Sequence, residues 1–158
     1  MNLKNWLKQW ELDSLKINAS IVQAEWSPKA GDREAAWKLY IELLTRITTQ
    51  ALPTESGDEK TALDSIYSLF KTTRKILKEQ GQNCIEFTKI AVVVLNQVVR
   101  PFTARWHPKS IAGDFEKESE CNAFREELKL LQVELCKYSR ALADLAGVED
   151  LTNLEDIE

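Results

Sequence analysis

The apolar positions of this chain fall mostly into blocks with helical spacing. Leu3, Trp6, Leu7 and Trp10 form the stripe of a short amphipathic helix. Ala36, Trp37, Tyr40, Leu44 and Ile47 mark a second helix, with Asp32 as its N-cap and an end near Gln50. Leu63, Ile66, Tyr67, Phe70 and Leu77 mark a third, capped by Asp58 and stopped by Gly81. Asn83 and Glu86 have capping-box spacing and open a fourth, which is apolar nearly all round from Ile90 to Val94 and so suits the middle of a bundle. In the last block Phe124, Leu128, Leu131, Leu135, Tyr138, Leu142 and Leu145 recur at alternating intervals of four and three up to Gly147. That is an a/d seam, and burying each of its side chains contributes about 1.5–3 kcal/mol. It predicts a long helix that packs within the chain or against a second copy.

One segment follows a different period. Leu15, Ile17, Ala19 and Ile21 alternate with Lys16, Asn18 and Ser20, a strand pattern with no second strand to pair with, which leaves open an extended arm on the bundle, pairing across a dimer, or a helix. Gly31, Gly57, Gly81, Gly113 and Gly147 fall between blocks, where turns and helix stops favour φ > 0. Pro28, Pro53 and Pro108 sit in the same gaps. The expected fold is all-α: a helical bundle of four to five helices with a short extended N-terminal arm over residues 1–147, then an acidic C-terminal tail over 148–158.

Length and charge narrow the picture. A chain of 158 residues suits one domain. Its net charge is −4, yet Glu149, Asp150, Glu155, Asp156 and Glu158 all lie in the tail. Without them 21 basic residues face 20 acidic ones, so the body as a whole carries no charge footprint for nucleic acid. The apolar run "IAVVVLNQVV" is half the length of a membrane span, and "MNLKNWLKQWELD" lacks the pattern of a signal peptide. A cytoplasmic protein without membrane contact is expected. Three cysteines without a C-x-x-C pair, one histidine and isolated glycines predict no disulfide framework, no metal and no cofactor.

Candidate chemistry concentrates in "VVRPFTARWHP", residues 98–108. Pro101 interrupts an apolar helix, so the helix either kinks and continues or stops near Val99 and restarts. If helical phase survives, Leu95, Val99, Phe102 and Trp106 form an apolar stripe. Asn96, Arg100, Thr103 and His107 form a polar one. Arg100 and His107 then stand two turns apart, about 10 Å along the axis, where a donor fork and an imidazole could share an anion. Arg46 and Arg74 are possible additional donors. The bland alternative makes the arginines helix-end residues, Trp106 a core anchor and His107-Pro108 a helix stop.

The stretch "LNQVVRPFTARWHP" is similar to one in small, uncharacterised bacterial helical proteins, and the similarity extends over most of the chain; it implies a bacterial origin. Arg100, six intervening residues and His107 also resemble the R-x(4–6)-H signature of HEPN-domain ribonucleases, which are all-helical, often dimeric and metal-independent. That resemblance implies His107 as general acid or base on a ribose 2′-OH and Arg100 steadying the phosphate. The pattern departs from the family's at Pro101, where a polar residue is usual. Elsewhere, Trp6, Trp10 and Trp26 mark a candidate partner-binding surface. The leading expectation is a non-enzymatic protein-interaction or scaffold module of a bacterial cytoplasmic complex, with a protein partner or homodimer. The alternative is a HEPN-like metal-independent ribonuclease acting on RNA through Arg100 and His107.

Overall fold

The computed structural model describes residues 1–55 and 58–157, so the expectation for Gly57 lies outside the described residues. The described chain is all-helical, with helices α1 (Leu3–Gln9), α2 (Ala19–Gln23), α3 (Ala30–Leu44), α4 (Glu59–Gln80), α5 (Ile85–Val94), α6 (Arg100–Ile111) and α7 (Glu118–Ala146). All seven seam residues of α7 are buried, and α3 is its main partner. The seam therefore packs within the chain. α7 ends where Gly147 adopts φ 72°, the left-handed conformation that glycine accepts without a Cβ penalty.

Asp32 is not an N-cap. α3 starts two residues earlier, and Asp32 lies in its first turn, 2% exposed. One carboxylate oxygen accepts from Lys29 N (2.8 Å), and the other from Phe87 N (2.9 Å) in the first turn of α5. A single buried carboxylate thus satisfies two helix N-termini. It does the work that Asn83 and Glu86 were expected to do: residues 81–84 form a 3-10 turn, and α5 has no capping side chain at its N-cap. Gly31 is also explained here. It lies within α3, and a Cβ on it would come within 2.2 Å of Asn83 O, so glycine lets the two helix starts approach. The same helix ends at Leu44 rather than Gln50, and Trp37 points outward, 44% exposed.

The alternating segment 15–21 is not a strand. Leu15 and Ile17 lie partly buried in an irregular run. Asn18 then caps α2 by accepting from Ser20 N (2.9 Å). Among the described residues the sole bridge pairs Asn2 with Glu25. The arm is pinned from α6's side of the molecule by Gln97, whose amide donates to Lys16 O (2.7 Å) and accepts from Lys16 N (2.8 Å).

The N-terminal tryptophans help anchor this arm: Trp6 is buried, and Trp10 and Trp26 are partly buried. Trp6 is 3% exposed and packs on Trp26 with ring centroids 4.6 Å apart. Trp6 and Trp10 both donate their indole N–H to Asp144 Oδ2, at 2.8 and 3.2 Å. The tail, too, is less solvated than its acids suggest. Leu151 N donates to the Tyr40 hydroxyl (2.5 Å) and Thr152 is buried, whereas Leu154 and Ile157 are 71% and 97% exposed. Burial raises the Tyr40 pKa, keeping the hydroxyl protonated so that it also donates to Glu149 O.

No described helix is long and apolar enough to cross a membrane.

Candidate functional site: the cationic face of α4 and α6

The regular α-helix gives way before Pro101 and restarts at it, close to the restart alternative. Residues 95–99 form one π-helical turn, with Arg100 N donating to Leu95 O, and α6 follows with Pro101 in its first turn. A proline there removes an N–H that the wider turn does not need. α6 then runs on through Pro108 to Ile111, so His107-Pro108 is not a stop.

The π turn changes which residues share a face. Asn96 and Arg100 remain partners, the Asn96 carbonyl oxygen accepting from Arg100 Nε (3.2 Å) and Nη2 (3.1 Å). Thr103 leaves the expected polar stripe: it is 4% exposed, and its hydroxyl donates to Arg100 O. His107 is exposed, and its ring stacks on Tyr67 of α4, 5.8 Å between centroids and 13° between planes. Trp106 is fully buried on the opposite side, edge-on to Phe124 and donating to Glu127. Glu127 also pairs with Arg105.

α4 supplies the other half of the face. Arg100 lies over the Phe70 ring, 4.7 Å from its centroid, and Arg74 lies 5.7 Å from the same centroid. Both guanidiniums are therefore within roughly 10 Å of each other, about the Debye length at 0.1 M salt. Lys71 and Lys78 stand one turn to either side of Arg74 on the same exposed stripe, with Lys75 on its shoulder. Among the described residues none of Lys71, Arg74, Lys75, Lys78 or Arg100 has a carboxylate partner, whereas Lys89, Arg105 and Lys109 do. Arg46, the other candidate donor, lies just past the end of α3 and bridges to α4, held by Glu42, Ser68 and Thr72.

The clustering has a readable origin. Residues 65–78 contain no acid, and neither do residues 87–113. The whole-chain charge conceals this, because the acids sit outside these two stretches, the ends of α4 included. What the sequence does not give is that α4 and α6 lie side by side, which puts both acid-free stretches on one surface. Among the described residues no cluster of His, Cys, Asp and Glu could hold a metal ion. Burial pushes the Cys121 and Cys136 thiols up, away from the thiolate a nucleophile needs. The α4–α6 face thus offers Lys71, Arg74, Lys78 and Arg100 beside the exposed Tyr67–His107 ring pair. No protein-family model matches the chain, and no curated protein or solved structure is significantly similar to it.

Proposed function

We propose that this protein is a non-enzymatic interaction module that docks a negatively charged partner on the face formed by α4 and α6. The observation that carries the reading is the set Lys71, Arg74, Lys78 and Arg100, neighbouring cations without carboxylate partners. Like charges held close on one surface cost free energy, and an anionic partner removes that cost. Retention on heparin tests it. Reversing two charges on the face, Lys71→Glu with Arg74→Glu, should lower the eluting salt concentration markedly. Reversing Lys4 and Lys8, exposed on the N-terminal arm, changes net charge equally and should matter far less. Equal shifts for the two double variants would mean that no particular face is used.

A metal-independent ribonuclease of the HEPN kind is the second reading. It is favoured by one observation, that Arg100 and His107 are exposed on the same side of α6. Against it, two Arg100 nitrogens are spent on Asn96 and His107 leans on Tyr67. RNA cleavage that persists in EDTA and is lost in both Arg100→Ala and His107→Ala, with melting unchanged, would establish this reading and displace the first.

A further inference from the structure

We infer that the anionic partner of the α4–α6 face is a single-stranded nucleic acid, whose phosphates meet the cations and whose bases stack at Tyr67. This rests on the reading of that face as the docking surface and adds what occupies it. An acidic polypeptide would use the cations and leave the aromatic pair idle. Tyr67 is 55% exposed although Phe70, one turn on, is 4% exposed. Its ring is held nearly parallel to that of His107, so the two rings make a fixed step beside the cations. A large ring kept rigid and open to solvent is a stacking platform, and single strands are bound by pairing such platforms with a basic track.

The spacing suits that division of work. Lys71 lies one helical turn from Tyr67, about 6 Å, and Arg74 and Lys78 continue the same line at intervals of about 5–6 Å. Arg100 and Arg74 are stacked on Phe70, so their donors are oriented before any partner arrives. Every base has a π-face and every nucleotide a phosphate, so the site reads no sequence. Phosphates for the cations and base faces for the ring are groups that RNA and DNA share, so strands of either kind should be equivalent. A duplex presents phosphates but hides its base faces, and so engages the cations alone.

Fluorescence anisotropy with labelled single-stranded and duplex oligonucleotides, alongside a labelled poly-glutamate peptide, tests the assignment. Single strands of RNA and DNA should bind alike and more tightly than the duplex or the peptide. With about four phosphates neutralised, affinity should fall about 50-fold between 50 and 200 mM salt. Tyr67→Ala should weaken strand binding about 5- to 100-fold without changing that salt dependence, and Tyr67→Phe, which keeps the ring, should restore it. Because Tyr67 is more than half exposed, both variants should melt like the parent. If Tyr67→Ala binds strands as well as the parent does, or if peptide and duplex match the strand, the nucleic-acid assignment fails while the docking face stands. If no anion binds and the heparin retentions are indistinguishable, the docking face fails as well.

Discussion

Asp32 is the residue on which the largest amount of local structure converges. Its two oxygens serve separate backbone donors on separate helices, Lys29 N and Phe87 N. Asp32→Ala removes both bonds and strands two N–H groups at a buried joint, so it should cost about 2–4 kcal/mol in chemical denaturation. Asp32→Asn is informative because it is nearly isosteric. Its single carbonyl oxygen can serve one donor, while its NH2 faces the other, so it should recover no more than about half the loss. An Asn variant as stable as the parent would show that one of the two bonds is dispensable. The role of Asp32 was half legible: its place at the start of a helix follows from residue type, but Phe87 is 55 residues away, and only the tertiary fold brings it there.

At the scale of elements, the α5–α6 rod depends on the π turn between its two parts. That turn places Gln97 toward the N-terminal arm and Arg100 toward α4. Gln97 is exposed and contributes little burial, yet it grips both backbone groups of Lys16. Gln97→Ala should therefore release the arm without unfolding the bundle. Amide exchange at residues 14–18 should accelerate about tenfold or more, the loss of roughly 1.4 kcal/mol or more of local protection. Global melting should move by no more than a few degrees. Unchanged exchange in the arm would mean that Leu15 and Ile17, packed against the core, hold it without the amide clamp. The strand expectation for this segment failed for a related reason. Alternation at Leu15 and Ile17 is what half-burial against a body looks like, and it needs no neighbouring strand; Asn18, a good N-cap, was the overlooked signal for α2.

For the whole molecule, α7 is the spine. Its seam was fully legible because four-three spacing is set by helix geometry alone, and each of its residues is buried as expected. Leu135→Ala, at a fully buried position, should cost about 2–5 kcal/mol. The chain after α7 divides more finely than its charge suggests. Truncation after Thr152, where the described residues 153–157 are all exposed, should change stability by less than about 0.5 kcal/mol. Truncation after Gly147 also removes Leu151 and its bond to Tyr40, and should cost about 1–3 kcal/mol. The cationic face belongs to this scale too. Its two acid-free stretches are plain in the sequence, but their adjacency depends on α4 and α6 packing together. The tryptophans taught the opposite lesson: Trp6, Trp10 and Trp26 are conspicuous by type, and their joint anchoring on one another and on Asp144 becomes visible only in three dimensions.

The central claim, that binding occurs on the α4–α6 face, is tested most directly by mapping backbone amide shifts while a short single-stranded oligonucleotide is titrated into the labelled protein. The account predicts that the perturbed amides cluster around Tyr67, Lys71, Arg74, Lys78, Asn96, Arg100 and His107, with α1, α7 and the N-terminal arm unmoved. Perturbations centred on the arm around Trp10 and Trp26, or spread evenly over every exposed lysine, would contradict it.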